Sequence, residues 1–231
     1  MRWAKQVSGS SAYCKQAMYI PKFNQIQDRA LLIEAMRAWS FAILFGPDAN
    51  GVPVATHLPL VVRDEGEHGV LEGHFALANP HWKWLAGRET LVVFSGPHSY
   101  VSPSLYVERK SVPTWNYIAI HATGTLQVIE DGAGDPAANH ALKDALVKNL
   151  IAGNEPAYVD QWNDLPIAYR ISMTSGIVGF RIRITRIEGK FKLSQNRPEQ
   201  DRQNVYAAHA VGTPGQQELA AWMNRLKLPR E

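Results

Sequence analysis

The first clear periodicity in the chain predicts a helix. Between Asp28 and Trp39, apolar residues recur at positions 31, 32, 35, 36 and 39, which is the spacing of one helical face. Asp28 precedes the first of them, where a carboxylate can accept hydrogen bonds from the free amides of a first turn. We therefore expect Asp28 to cap a helix that ends near Trp39.

Most of the remaining pattern predicts strands. A short apolar run at 41–45, the turn sequence GPDANG and a second run at 52–62 together predict a hairpin. Further strands are expected at 69–76, 89–95, 116–129 and 178–193. In the last of these, apolar residues at 180, 182 and 184 alternate with Arg181, Arg183 and Thr185. The adjacent pair Arg186–Ile187 breaks this alternation and predicts a β-bulge.

Helices are predicted between and after these strands. Asn79 is expected to cap a short helix that has Pro80 at its first position and ends at Gly87. A longer helix is expected over 135–152, and another begins near residue 213. Six or so strands with short turns and few helices predict a mainly β, α+β fold, an antiparallel barrel with peripheral helices.

Composition limits the functions that this chain can have. Its 45% hydrophobic and 19% charged residues are ordinary for a globular protein, and its net charge is +3. The single cysteine, Cys14, excludes a disulfide within the chain and a cysteine cage for a metal. None of the eight histidines has ligand spacing, so we expect no metal. No apolar run reaches the roughly 18–20 residues that cross a bilayer, and we expect a cytoplasmic location.

The ends of the chain differ from its centre. Residues 1–17 are rich in Ser, Lys and Gln and lack the apolar core of a signal peptide. We interpret them as the product of an upstream start codon or as a disordered extension.

One segment combines stiffness with aromatic and hydroxyl groups. Gly96–Tyr106 and the hexapeptide 112–117 (VPTWNY) lie between predicted strands and contain prolines, aromatic residues, serines and a histidine. Prolines fix the backbone and reduce the entropy that ordering costs. Such a loop is typical of a ligand pocket or of a subunit interface, and periodicity does not distinguish between the two.

Three polar segments are candidates for binding, and each has a purely structural alternative. Thr56 and His57 interrupt an apolar strand. They are either a pair of hydrogen-bond donors for a ligand or core or edge residues whose hydrogen bonds are made within the protein. The segment 72–80 leads from a strand into a helix N-terminus, which favours phosphate, although capping alone explains Asn79. Lys190–Arg197 offers charges and directed donors for an anion, or forms a solvated strand end.

Taken in order, these motifs resemble the PaiB family of FMN-binding split-barrel proteins, which are described as negative transcriptional regulators. The resemblance rests on MYIP from residue 18, His57-Leu58-Pro59, Gly73-His74 with Ala78-Asn79-Pro80, Gly96–Tyr106, VPTWNY and Lys190–Arg197. It implies a homodimeric split β-barrel over 18–205 and FMN in a groove at the dimer interface; residues 206–231, which the family pattern does not specify, are expected to form a helical tail.

The resemblance also implies positions for the flavin. Its ring is expected near the backbone of a strand segment and near a Trp-Asn segment, and its phosphate and ribityl chain against a separate group of residues. The residues so implied are Thr56, His57, His74, Ala76 and Asn79 for the phosphate and ribityl chain, Leu58, Pro59, Trp115 and Asn116 for the ring, Lys192 and Gln195 from the other subunit, and Pro80 as a further cofactor-binding residue.

Three functions remain open at this stage. A flavin-binding regulator would bind DNA through a basic face made by Arg181, Arg183 and the tail. A flavin-dependent oxidoreductase would use FMN for hydride transfer, either as a pyridoxamine phosphate oxidase or as a flavin reductase. A haem-binding split barrel would offer His74 or His209 to the iron.

Overall fold

The structure, a computed structural model, describes residues 18–129 and 136–230. The predicted leader, 1–17, and the predicted helix start at residue 135 lie outside the described residues. Eight strands form one antiparallel sheet in the described ranges, in the order β3-β2-β6-β7-β8-β5-β4, with β1 paired to β8. The strands are β1 (Gln25–Ile26), β2 (Phe41–Pro47), β3 (Pro53–Pro59), β4 (Val61–Arg63), β5 (Val70–Ala76), β6 (Glu89–Val101), β7 (Thr114–Val128) and β8 (Ile177–Lys192).

Seven α-helices surround this sheet in the same described ranges. They are α1 (Arg29–Ala38), α2 (His81–Leu85), α3 (Pro136–Asn154), α4 (Tyr158–Asp164), α5 (Ile167–Ser175), α6 (Glu199–Ala210) and α7 (Pro214–Arg225). Short 3₁₀ turns occupy Lys22–Asn24, Pro103–Leu105 and Leu228–Arg230. The predicted α+β fold with an antiparallel sheet and peripheral helices is confirmed. No helix in the described residues is long and apolar enough to cross a membrane.

The predicted first helix and hairpin are confirmed. Asp28 accepts a hydrogen bond from the backbone N–H of Leu31 at 3.1 Å and so caps α1. β2 and β3 pair in register from Phe41 opposite Pro59 to Pro47 opposite Pro53. In the turn between them, Asp48 Oδ1 accepts the backbone N–H groups of Asn50 and Val52 at 2.8 and 2.9 Å. The carboxylate satisfies donors that the tight turn would otherwise leave unpaired.

The predicted bulge lies in β8, one residue before its expected position. Thr123 pairs with Arg186 and Gly124 with Ile184, so Thr185 is the extra residue. Gly124 is required there because a Cβ at this position would lie 2.2 Å from the carbonyl oxygen of Arg183. The bulge increases the local twist of the two longest strands and helps the sheet to curl.

The segment predicted as one stiff loop is in large part a strand, which corrects that expectation. β6 continues through Gly96 to Val101 and pairs with the start of β7, after a register break between Ser95 and His98. Pro97 lies inside this break, where its missing N–H costs no ladder bond, so the strand resumes beyond it. Only residues 102–113 leave the sheet.

The curled sheet encloses a core that two helices complete. Leu32 and Met36 of α1 and Leu219 and Met223 of α7 are buried in the same cluster as the inward-facing strand residues. β3 approaches β5 across the gap in the sheet, which closes the barrel. The boundary expected after residue 205 falls inside α6, and Val205 belongs to the same core. Helices α4, α5 and α6 were not predicted.

Candidate functional site

A hydrogen-bonded junction joins the edge strand β3 to the segment after β5. Asn79 Oδ1 accepts the backbone N–H of His81 at 3.0 Å, so Asn79 caps α2 although Pro80 and not Asn79 directly precedes the helix. Thr56 Oγ1 lies 2.8 Å from His81 Nδ1 and 3.4 Å from Asn79 Nδ2. The polar groups of Thr56 and Asn79 therefore form hydrogen bonds within the fold. Helix α2 has only five residues and a correspondingly small dipole.

His81 is a member of this junction that the sequence reasoning missed. Its side chain is fully buried, and burial lowers the pKa of its imidazole, against a smaller opposing effect of the Gly46 carbonyl. The ring is therefore neutral at physiological pH and joins Thr56 to the start of α2. The only sequence signal was its place directly after the Asn-Pro pair.

Two predicted residues near this junction keep polar atoms available. His74 Nδ1 is buried without a hydrogen-bond partner among the described residues, and burial lowers the pKa of His74. His57 is exposed on β3. Of the remaining predicted residues here, Leu58 is buried in the core, Pro59 is half-buried, and Ala76 and Pro80 are exposed.

The second predicted group gathers at the other end of β8. Asn116 is fully buried, and its amide donates to Ser194 Oγ at 3.0 Å, while that hydroxyl donates back to Asn116 Oδ1 at 3.2 Å. Gln195 Oε1 accepts the backbone N–H of Leu193 at 2.7 Å. These contacts fix the turn after β8, in which Ser194 adopts a left-handed conformation with φ of 67°. Asn116 and Gln195 therefore hold the chain itself.

Lys192 and Trp115 are the accessible members of the second group. Lys192 Nζ donates to Thr114 Oγ1, and its residue pairs with Tyr117 in the ladder. Trp115 is 52% exposed and packs against Tyr100, with ring centroids 6.0 Å apart. These side chains offer a cation and an aromatic surface at one site, which suits an anionic aromatic ligand.

The structure does not bring the two predicted groups together within one chain. His74 pairs with Gly179 near the start of β8, whereas Lys192 ends that strand. Thirteen residues separate the two positions, or about 43 Å of strand at roughly 3.3 Å per residue. His57 lies on the far edge strand, four strands from β8 in the sheet order.

The outward face of the sheet connects these groups. The register aligns His57, Ile43, Val93, His121 and Glu188 in one row across five strands, so their side chains share a face. Further along that face lie half-exposed apolar residues, and Phe41 at the edge is 67% exposed.

Glu188 is an anomaly in this row. It is only 8% exposed, and neither carboxylate oxygen has a hydrogen-bond partner among the described residues. The nearest cation is Arg186, whose Nε lies 3.7 Å from Glu188 Oε2. Burial lowers the pKa of the neighbouring His121, although Glu188 opposes that shift. A buried carboxylate without a hydrogen bond is costly, so this face of the lone chain is incompletely satisfied. Sequence patterning gave no signal for it.

The remaining candidates are used by the fold. Arg181 donates hydrogen bonds to Glu72, and the basic face expected from Arg181 and Arg183 stays a prediction. His209 is 1% exposed inside α6, so its ring is enclosed by the protein. The end of the aromatic segment packs on the turn after β8, since the Arg197 guanidinium lies 3.9 Å from the ring centroid of Tyr106. Among residues 18–129 and 136–230, no three His, Cys, Asp or Glu side chains cluster in a way that would hold a metal.

A family model and related sequences assign the chain to the same protein family. Residues 18–186 match the family described as "Putative FMN-binding domain". The protein of Bacillus subtilis named "Protease synthase and sporulation protein PAI 2" is 36% identical over 194 residues, which cover 81% of this chain and 87% of that protein. An uncharacterised protein of Emericella nidulans, AN0679, is 32% identical over 184 residues, 65% of this chain and 72% of the other.

Solved structures share the fold at low sequence identity. The flavocytochrome Anf3 from Azotobacter vinelandii aligns with a TM-score of 0.54 and 18% identity, over 73% of this chain and 69% of that one. The FAD and heme binding protein from Mycobacterium smegmatis aligns with a TM-score of 0.51 and 20% identity, over 73% of each chain. At this identity the likeness shows the fold alone, and it supports the predicted split barrel.

Proposed function

The chain belongs to the family of FMN-binding split-barrel proteins that the PaiB resemblance indicated, and from that membership we propose that it binds FMN between two copies of itself. The observation that supports the proposal most directly is the separation of two half-sites, one around His57 and His74 and the other around Trp115 and Lys192. His57 and Lys192 lie on the same outward sheet face but at distant places in one chain. An isologous dimer packed through that face places one half-site of each copy against the other half-site of its partner.

The unsatisfied groups of the outward face support the same arrangement. Phe41 and the half-exposed Ile43 and Val93 gain apolar burial when a second copy covers them. Glu188, which has no hydrogen bond in the lone chain, gains access to donors from the second copy. Because a twofold axis makes the same surface serve both copies, one incomplete face is sufficient for a closed dimer.

The residues present fit a flavin mononucleotide. Lys192 supplies positive charge for the phosphate, and His57 and the unpartnered Nδ1 of His74 supply directed hydrogen bonds. Trp115 offers an exposed aromatic surface for the ring. Four further residues do not face the flavin but hold these elements in place through hydrogen bonds within the protein: Thr56, Asn79, Asn116 and Gln195. Bound FMN supplies oxidation and reduction chemistry, while the chain orients it and limits the access of water.

A regulatory role is the second candidate. It is supported by the 36% identity to a Bacillus protein named for protease synthesis and sporulation. Direct DNA binding through Arg181 and Arg183 has less support, because Arg181 already bonds Glu72. In this second candidate the flavin-bound dimer is the regulatory species, and DNA is a further partner to be tested with salt-dependent binding.

Titration with FMN tests the proposal. We expect saturable quenching of flavin fluorescence with one FMN per chain, on a protein whose mass by light scattering is that of a dimer. Lys192→Met keeps the apolar stem of the side chain and removes the charge, and we expect about tenfold to hundredfold weaker binding, the range for a lost charge-assisted hydrogen bond. Lys227→Met, remote near the end of α7, is the matched control. Tight FMN binding to a strict monomer would contradict the proposal.

Oxidation of NADPH by the FMN-loaded dimer then separates the two candidates. Turnover with a small electron acceptor favours the oxidoreductase. Its absence, together with FMN-dependent binding to DNA, favours the regulator.

A further inference from the structure

A second polar row crosses the sheet at Glu72, two residues before His74 on β5. Glu72 of β5 lies directly opposite Arg181 of β8, which in turn lies opposite Gln127 of β7. Arg63, on the neighbouring edge strand β4, reaches the same carboxylate. Helix α3 covers this row and leaves a cavity of about 450 Å³ between helix and sheet. That volume is within the range of small-molecule sites.

The charges in this cavity do not balance. Glu72 accepts Arg63 Nε at 3.1 Å and Arg181 Nε and Nη2 at 3.1 and 2.5 Å, so one carboxylate faces two guanidinium groups. The side chain of Glu72 is only 6% exposed, whereas those of Arg63 and Arg181 are 35% and 44% exposed. The remaining N–H groups of both arginines make no hydrogen bond to another described residue. One positive charge and several directed donors are left for an anion.

The opposite wall of the cavity is apolar. Leu142, Ala145 and Leu146 of α3 line it, and Leu142 is 45% exposed although it is a large aliphatic side chain. Val128 and Ile129 continue this surface at the end of β7, and Asn149 adds one amide. A ligand that matches both walls has an anionic head and an apolar body of modest size.

The wall formed by α3 is held rigidly. Asp144 is 7% exposed and accepts Trp162 Nε1 at 2.9 Å and Arg170 Nη1 at 3.1 Å, which ties α3 to α4 and α5. Lys148 pairs with the same carboxylate at 2.9 Å. Since the sheet forms the other wall, both sides of the cavity are positioned before a ligand arrives, which reduces the entropy that binding costs.

We propose that the cavity between α3 and the Glu72–Arg181 row is a second binding site, for a small carboxylate that carries an apolar chain or ring. Its carboxylate bonds the guanidinium groups of Arg63 and Arg181, and its apolar body packs on Leu142, Ala145 and Leu146. None of the residues assigned to FMN lines this cavity. The two sites therefore use different side chains, and either assignment can fail without the other.

Calorimetric titration of the FMN-saturated full chain with 4-phenylbutyrate tests this site. We expect saturable binding of one molecule per chain in the millimolar range or tighter. The neutral analogue 4-phenylbutanamide has the same body, and we expect it to bind about tenfold to hundredfold more weakly because it lacks the charge. Equal affinity for the two compounds, or no saturation by 4-phenylbutyrate up to about 10 mM, would overturn the proposal.

Variants locate the binding. Arg181→Gln is expected to weaken 4-phenylbutyrate about tenfold or more and to leave FMN affinity unchanged. Arg183→Gln, on the same strand but outside the cavity, is expected to have no effect on either ligand. Because Arg181→Gln also removes a partner of buried Glu72, Ala145→Phe provides a second test by filling the apolar wall. Ala152 is exposed on the same helix outside the cavity, so Ala152→Phe serves as the control for Ala145→Phe. Retained affinity in Ala145→Phe would overturn the assignment.

Discussion

Asn116 of β7 and Ser194 after β8 exchange two hydrogen bonds, at 3.0 and 3.2 Å, although 78 residues separate them in the chain. Asn116 is fully buried and Ser194 is 3% exposed. The pair fixes the left-handed turn that directs the chain from the sheet into α6. Asn116 is therefore a structural residue beside the proposed flavin half-site that contains Lys192.

Replacing Asn116 is expected to reduce stability more than ligand affinity. Asn116→Leu leaves the Ser194 hydroxyl buried without its partner, which costs about 1–3 kcal/mol in the free energy of unfolding. Denaturant unfolding measures this loss, and FMN titration of the folded variant measures affinity. Asn196→Ala, exposed in the same turn, is the control and should match the unmodified chain within about 0.5 kcal/mol. An unchanged midpoint for Asn116→Leu would contradict this role.

Acid is expected to destabilise the fold through its buried histidines. Burial lowers the pKa of His74, His81, His121 and His209 in the native state. In the unfolded chain these groups titrate near 6.5. Below that pH the unfolded state binds protons that the native state does not bind, so stability falls as the pH falls.

His209→Leu tests this pH dependence. Both ring nitrogens of His209 are buried without partners among the described residues, so leucine removes an uncompensated polar group. Between pH 6.5 and the native pKa, the slope of unfolding free energy against pH should decrease by about 1.4 kcal/mol per pH unit. Urea unfolding at several pH values gives that slope, and a slope equal to that of the unmodified chain would refute the assignment.

The elements governed by local chemistry were predictable from the sequence. Apolar spacing and the Asp28 cap predicted α1, and the turn at Asp48 predicted the first hairpin. Thr213 and Gln216 form a capping box at the start of α7, where the Thr-Pro pair predicted a helix. In each case the deciding contact lies within four residues, so a sequence window contains it.

Features that depend on cross-strand register were not predictable in this way. The row from His57 to Glu188 is assembled from five strands, and no local pattern marks Glu188 as buried. The extension of β6 past Pro97 depends on a bulge that only the pairing with β7 defines. The individual flavin contacts were inferred from the family resemblance, and they stay a prediction. In the fold, the residues concerned form two groups that are separated within one chain.

Glycine substitutions test the close packing of the two longest strands. Gly124→Ala places a Cβ 2.2 Å from the Arg183 carbonyl oxygen beside the bulge, so the β7–β8 ladder must shift. We expect a loss of about 1–3 kcal/mol in unfolding free energy. Gly153→Ala in α3 meets nothing within 4 Å and should gain about 0.4–1 kcal/mol. Calorimetric melting of both variants measures the contrast, and equal melting temperatures would contradict it.

The oligomeric state is expected to depend on Phe41. This side chain is 67% exposed in the single chain, so Phe41→Asp should not disturb the monomer fold. If the outward face is the dimer interface, the introduced charge is buried without a partner and the dimer dissociates. Light scattering should show a shift from dimer to monomer, while Val211→Asp, 84% exposed near α7, stays dimeric. A dimer that survives Phe41→Asp would place the interface elsewhere.

Complementation between two defective variants tests the central claim that each FMN site is built by two chains. His57→Ala and Lys192→Met each damage one half-site, so each variant alone should bind FMN weakly. After the two are mixed, unfolded and refolded together, half of the dimers should be mixed, and each of these has one intact site. About a quarter of all sites should then recover the affinity of the unmodified chain. A mixture that binds no more FMN than the separate variants would contradict a shared site.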